Sequence, residues 1–546
     1  MSLRIPSFSH DKRSERGSRV RNGSASRLLL LFGASLIVVI GLIYAGLMIR
    51  PDARRGDHQD SLVRVYCASG IVQPVEMIIA DYNQRFGTNV EIVRRGGSGE
   101  LAGQIQTEFE TGLEGGADLY ITADEFLLAQ AHEQGIVAER FSLARQKPVI
   151  AVLASNPMEA TDLRETINIP GVKFGIASER AAVGKLTRKI ASRDGFLETL
   201  ENNKAVDSEN VMTLAQSLVT GSLDAAVIWD TTVSQVNQAN AGSDHLLKSM
   251  GLADPLEEFQ SDIAVGVIAG TDNPTACLKF ARFLTAPSTS RPTFEALGFT
   301  FVDGDVWEEV PEIHLYCGSM FTPVLEKAVR DFATREGVNV YPRWEGCGKL
   351  VASMKAIRDP GLFPDAYLAC DMAFLEEVSD RFCVPVTISH NRIVMVTRKD
   401  LKRAVDGPRD LVESDLRIGI CDPVQSALGK LTQQMLSSDP FDGVYDRLAE
   451  QASVTVDVGP TLMSQMLAGG LDVAFVYRSN VMASRQALEE LEMIEIDSQA
   501  SRSVATQPWA VSKSTKNAKL MERFFEWIQR PEIKARFEDH GFRLVE

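Results

Sequence analysis

One message is written twice in this chain, roughly 250 residues apart. Near the start stands Val65-Tyr-Cys-Ala-Ser-Gly, followed by an amphipathic run and Gly87-Thr-Asn-Val-Glu-Ile-Val-Arg-Arg-Gly-Gly-Ser-Gly-Glu-Leu. It is answered by Leu315-Tyr-Cys-Gly-Ser-Met, another amphipathic run and Gly337-Val-Asn-Val-Tyr-Pro-Arg-Trp-Glu-Gly-Cys-Gly-Lys-Leu. Further on, Phe174-Gly-Ile-Ala pairs with Ile418-Gly-Ile-Cys, each leading to Gly-Lys-Leu-Thr, and Gly221-Ser-Leu-Asp-Ala-Ala-Val-Ile-Trp-Asp pairs with Gly469-Gly-Leu-Asp-Val-Ala-Phe-Val-Tyr-Arg. The order never changes. A period this long, present twice, means a duplicated domain, because solenoid units run roughly 20–50 residues.

Each copy alternates short apolar strands with amphipathic helices, the signature of an α/β fold built from β–α–β units. The rhythm restarts midway, after a strand of different character (Pro148–Leu153; Arg392–Thr397). The expected architecture is two tandem modules, residues 62–303 and 311–546, each of two α/β lobes around a cleft.

A chain of 546 residues has room for two such modules, and its net charge of −16 argues against nucleic acid. The N-terminus departs from the soluble pattern. Leu28 to Ile49 is uncharged and long enough to cross a bilayer as a helix. The basic residues before it outnumber Asp11 and Glu15, so the positive-inside rule leaves 1–27 as a cytoplasmic tail and exports the rest beyond a tether at 50–61. A cleaved signal peptide is the alternative. Seven cysteines are an odd number for an exported chain. None falls in a zinc-type spacing, so neither metal nor cofactor is expected.

Ligands of open α/β sheets sit beyond the carboxyl ends of strands, beside helix N-termini. Three loops of each copy occupy that place: those holding Ser69, Ser98-Gly99 and Ala182-Val183, mirrored by Ser319, Cys347 and Ser426. Small residues there admit a ligand close to the backbone, which suits an oxyanion; ordinary β–α turns carry the same residues for structural reasons alone.

Taken together, Tyr66-Cys-Ala-Ser-Gly, Gly-Gly-Ser-Gly-Glu-Leu, Asp118-Leu-Tyr-Ile-Thr-Ala-Asp, Asn156-Pro157 and Asp224-Ala-Ala-Val-Ile-Trp-Asp resemble the periplasmic solute-binding proteins for molybdate and tungstate. That resemblance implies the type II periplasmic-binding-protein fold with a hinged cleft. It also implies hydroxyl donors at Ser69 and Ser98 and backbone donors at Gly99, Ala182 and Val183. Trp229 stands where many relatives carry a tyrosine, and its indole donates but cannot accept. A core aromatic is the plainer reading of Trp229. The second copy fits less well: Ser319 and Tyr477 match, but Cys347 replaces a serine. A softer ligand, a disulfide, and a structural copy without ligand all remain open there.

Catalytic signatures are lacking. The Gly-Lys-Leu-Thr pair is no P-loop, since Glu179 and Val424 occupy the required first glycine. The seven histidines show no catalytic grouping, and there is no Gly-x-Ser-x-Gly elbow. The sequence therefore predicts a membrane-anchored, extracytoplasmic binding protein, not an enzyme. It would capture molybdate or tungstate, with sulfate as a further candidate, for an ABC-type permease. A sensing or structural ectodomain is the competing expectation.

Overall fold

The computed structural model describes residues 62–112, 115–158, 162–250, 259–496 and 503–545. The expected tail, membrane span and tether lie outside them. Among the described residues no helix is long and apolar enough to cross a membrane.

Eleven strands build the first half: β1 (Val63–Ala68), β2 (Val90–Gly96), β3 (Leu119–Thr122), β4 (Val137–Gln146), β5 (Pro148–Leu153), β6 (Phe174–Ala177), β7 (Lys204–Ser208), β8 (Ala225–Trp229), β9 (Leu247–Met250), β10 (Ser261–Ile268) and β11 (Thr300–Phe301). They form two sheets, ordered β11-β4-β10-β3-β1-β2 and β7-β6-β8-β5-β9, one for each lobe. The second half repeats the plan with β12 (Glu312–Gly318), β13 (Asn339–Glu345), β14 (Ala366–Leu368), β15 (Val386–Arg398), β16 (Ile418–Cys421), β17 (Val454–Val456), β18 (Val473–Tyr477), β19 (Leu491–Glu495), β20 (Val504–Val511) and β21 (Arg543–Leu544).

Parallel pairing is confined to the opening strands of each lobe. β1, β2 and β3 run parallel, as β–α–β units dictate, but β10 returns from the second lobe and pairs antiparallel with β3 and β4. The sheets are thus mixed. The strand β4, which the sequence pattern did not flag, lies beside that return.

The two halves cross between lobes differently. In the first, the crossing breaks at Lys147, where Lys147 N–H donates to Asp230 Oδ1 (3.0 Å) and Asp230 N–H donates back to the Lys147 carbonyl (2.9 Å). In the second, β15 runs unbroken through both lobes, pairing with β20 at one end and β18 at the other.

Helix ends show why the repeat is so regular. The helix Val72–Phe86 buries Val72, Val75, Ile78, Ile79 and Tyr82, one stripe at helical spacing, and stops at Gly87 with φ 63°. Its counterpart Thr322–Glu336 buries Val324, Leu325, Ala328, Val329 and Phe332 and stops at Gly337 with φ 66°. A left-handed closing residue favours glycine, which is why both copies carry one.

The halves are joined through their first lobes by buried charge. Glu336, 2% exposed, accepts from Arg282 Nη1 of the first half (2.9 Å) and from Arg523 Nε (2.8 Å) and Nη2 (3.1 Å) of the second. Beside it Glu139 of β4 takes both arms of Arg335 (2.7 and 3.0 Å) and one nitrogen of Arg530 (3.3 Å). Asp305, between the halves, accepts the Lys519 and Leu520 amides (2.7 and 2.8 Å) at the start of the helix Ala518–Ile528.

Burial works against the Glu336 carboxylate, but the two guanidinium groups outweigh it and hold its pKa below the ordinary range. A depressed folded pKa contributes stability above the unfolded value, about 4.3, and that contribution fades as pH falls through the folded value. Replacing Glu336 by Gln leaves two buried guanidinium groups without their anion. The variant is expected to lose roughly 3–5 kcal/mol of stability at pH 7, read as a lower urea midpoint. The loss should shrink as pH falls below about 4.3 and through the lowered folded value, where wild type loses the same carboxylate.

Candidate functional site

In the first half three helices of different loops start at one point. Ser98–Thr111 begins after β2, Ala182–Arg193 after β6, and Val211–Val219 after β7. Their first residues, with Ser69, Gly70 and Trp229, line a cavity of about 30 Å³ between the lobes. A single water needs roughly 10–15 Å³ on this measure, so the space suits a small compact group. No lysine, arginine or histidine lines it, and its acidic residue, Glu209, has its carboxylate engaged by the Ser178 hydroxyl (3.0 Å). The cavity's counterpart to a cation is the set of helix termini, whose opening amides lack intrahelical partners and carry partial positive charge.

The candidate side chains differ in readiness. Ser98, 3% exposed, accepts from the Ala123 amide (3.1 Å), and its side chain also engages the buried Tyr120 hydroxyl. Ser69 donates to the Gly96 carbonyl (3.1 Å) and accepts from Asn210 Nδ2 (3.3 Å), so its proton is already in use. Trp229 is buried at the end of β8, and its indole N–H has no hydrogen-bond partner among the described residues. The structure thus gathers Ser69, Ser98, Ala182, Val183 and Trp229 around one cavity. Gly99 sits one residue deeper, where a Cβ would lie 2.5 Å from the Arg180 carbonyl of the opposite lobe.

Residues not singled out by sequence join the lobes. Asn210 caps its helix by accepting from Met212 N–H (2.8 Å) while its amide reaches across to Ser69. Gln235 Nε2 donates to the Gly70 carbonyl (2.9 Å). An asparagine just before the apolar run Val211, Leu214, Ala215, Leu218 was a readable helix start; its second role was not. Lys185, of the Gly-Lys-Leu-Thr motif, reaches across the cleft to the Phe126 ring (4.2 Å from the centroid).

The second half gathers the same positions with different chemistry. Cys347 opens the helix Cys347–Ala356 where Ser98 opens its own, and its sulfur accepts from the Cys370 amide (3.1 Å), as Ser98 does from Ala123. Val458 stands where Asn210 stood, ahead of the helix Gly459–Leu467. The loop before Ser426 carries one residue more than its counterpart, and the Gln425 carbonyl accepts from the Gly348 amide (3.1 Å). A helix-terminal donor equivalent to Gly99 N–H is thereby consumed by the chain itself. Ser426 is buried, and the Ser319 hydroxyl has no hydrogen-bond partner among the described residues. The Tyr477 hydroxyl is buried and unpartnered, and burial drives its pKa well up. Lys430 lies 4.8 Å from the Phe374 ring centroid, mirroring Lys185.

Two lobes around a cleft lined by strand ends and helix starts, with a small cavity between them, give the frame of a protein that encloses a small ligand. The sequence profile of the bacterial extracellular solute-binding proteins matches residues 63–300 and again 313–543, and the chain belongs to that family. A candidate binding protein of Haemophilus influenzae is 25% identical over 237 residues, 43% of this chain and 91% of its own. A candidate ABC-transporter substrate-binding lipoprotein of Bacillus subtilis is 26% identical over 154 residues, covering 28% of this chain and 55% of that protein. Among solved structures, the periplasmic molybdate-binding protein of Azotobacter vinelandii is 17% identical and covers 44% of this chain and 100% of its own, with a TM-score of 0.36.

Close approach at Gly99 makes closure testable without a ligand. Gly99→Ala places a Cβ against backbone and should hold the first cleft open, seen as faster amide exchange around Asn210 and residues 178–183. Gly70→Ala, whose Cβ would have its nearest neighbour at 3.6 Å, should leave that exchange unchanged.

Proposed function

We propose that this protein is the extracytoplasmic binding component of an ABC-type uptake system, anchored by residues 28–49, and that its ligand is a tetrahedral oxyanion. Molybdate or tungstate is the leading candidate, with sulfate next. Binding is the work of residues 62–303, while 311–546 serve as a partner that does not hold the anion. The supporting observation is the convergence of three helix N-termini, the Ser98 hydroxyl and the unpartnered Trp229 indole on a cavity without a cationic side chain. Such a cage neutralises an anion with oriented dipoles and hydrogen bonds. Trp229 can only donate, and a fully deprotonated dianion has only acceptors to offer. Phosphate, partly protonated near neutral pH, would bring a hydrogen that the Trp229 indole cannot accept.

In the second half the matching loss of Ser98 to Cys347, of Asn210 to Val458, and of one helix amide to Gln425 removes three contacts of the cage. Ligand capture would draw the Gly99 and Val183 loops together, a hinge motion about the Lys147 crossing.

Calorimetric titration of the chain from Gly56 onward with molybdate, tungstate, sulfate and phosphate tests this. One site per chain is expected, with phosphate weakest. Ser98→Ala should weaken binding roughly 10- to 150-fold, the equivalent of the about 1.5–3 kcal/mol a hydrogen bond to a charged group contributes. Ser69→Ala should cost less, because its proton must first leave Gly96. Absence of heat with all four anions would sink the oxyanion assignment, and two equal sites would sink the division of labour.

A further inference from the structure

Three positions differ together between the two clefts. Ala68, Ser98 and Ala123 of the first half become Gly318, Cys347 and Cys370 of the second. In the second half the Cys347 and Cys370 sulfurs lie 2.7 Å apart, both buried. Cys370 Sγ rests against Gly318, where a Cβ would stand 2.2 Å from it. An alanine there, as at position 68, would push the second sulfur away. The glycine makes room for the thiol pair, so the three changes act as one.

We propose that Cys347 and Cys370 are a redox pair, oxidised in the exported protein to a disulfide that seals the second cleft. A disulfide needs sulfurs within bonding reach, about 2.05 Å, and side chains directed at one another, and this pair already faces itself. Cys347 is the entering nucleophile. It begins a ten-residue helix, and although burial opposes its ionisation, hydrogen bonds from the Cys370 side hold its pKa below that of an ordinary thiol. Cys370 is held well above. With the lobes apart, the Cys347 thiolate attacks a small-molecule or protein disulfide, forming a mixed disulfide and expelling one thiolate. Cys370 then gives up its proton and displaces the second. The chain loses two protons and two electrons, and the oxidant leaves as two thiols.

The bond would occupy the place that the Ser98 hydroxyl holds in the first cleft. Tyr367, whose side chain also engages the Cys347 sulfur, and Tyr477, whose buried hydroxyl has no partner among the described residues, belong to the same cluster and feel the charges of Cys347 and Cys370. The inference rests on the extracytoplasmic reading for its oxidant and owes nothing to the identity of the anion.

The full-length chain, acid-trapped in the cells that export it and alkylated under denaturing conditions before and after reduction, gives the test. Two cysteines should resist alkylation before reduction, and peptide mapping should assign them to Cys347 and Cys370. The purified chain should melt roughly 5–10 °C lower once reduced. The double variant C347S/C370A, which restores the serine and alanine of the first cleft, should fold, bind anion at the first site unchanged and lose the reductant-sensitive shift. Equal alkylation of all cysteines without reductant, or protection of a different pair, would overturn the proposal. Failure of the anion titration leaves this readout untouched, so the two readings fall separately.

Discussion

Glu336 carries the constraint on which the arrangement of the halves depends. A carboxylate buried this deeply costs several kcal/mol in lost hydration unless it is paired, and its partners come from opposite halves. Arg282 reaches it from one side and Arg523 from the other, with Glu139, Arg335 and Arg530 forming a second knot alongside. Hydrophobic faces slide at little cost, whereas bidentate guanidinium–carboxylate pairs fix angle as well as distance. All these residues belong to the first lobes or to helices packed on them. The second lobes take no part. A rigid joint between first lobes leaves each second lobe free to swing, so fixing the halves does not freeze the clefts.

Crossing strands then set how freely each lobe swings. The break at Lys147 interrupts the ladder of the first half and leaves two backbone-to-Asp230 hydrogen bonds as the pivot. β15 is continuous where it changes partner, from β20 at Arg392 to β18 at Ile393, and its one irregularity is a bulge at Ile388 in the β20 pairing. Bending it means bending a continuous strand. Both differences, in the crossing strand and in the donors of the cleft, separate the second half from the first and agree with the proposed division of labour.

Much of this was legible in the sequence, and for a physical reason. Glycines at strand-end turns and the αL helix stops at Gly87 and Gly337 answer to local geometry, which the repeat displays twice. β6 and β16 were read with their observed bounds because short, apolar, glycine-bearing strands have few alternatives. Ser69, Ser98, Ala182, Val183 and Trp229 were brought to one cavity because strand ends and helix starts must meet there. What stayed hidden depends on contacts between distant segments. No local pattern tells that Arg282 and Arg523 share Glu336, that Asn210 leans on Ser69, or that β4 flanks a returning strand. The Gly-Lys-Leu-Thr motif shows the limit well. Its glycine packs under the preceding loop and its lysine crosses the cleft to an aromatic ring, a closing contact that no phosphate-binding pattern describes.

On the proposed division of labour the second cleft is a duplicate whose polar groups find partners within the chain. An open polar cleft cannot simply be emptied, because helix amides and buried hydroxyls left without partners cost free energy. Here the chain supplies its own substitutes. One inserted residue lets the Gln425 carbonyl take the Gly348 amide, an oxygen from the backbone standing where an oxygen from an anion would stand. A thiol takes the amide that a serine hydroxyl held. Valine at 458 removes the amide that Asn210 directs at Ser69, and the matching Ser319 hydroxyl has no hydrogen-bond partner among the described residues. The second half keeps the fold of a binding protein and packs against the first; in its cleft the Gln425 carbonyl and the Cys347 sulfur take amides, while the Tyr477 and Ser319 hydroxyls have no hydrogen-bond partner among the described residues.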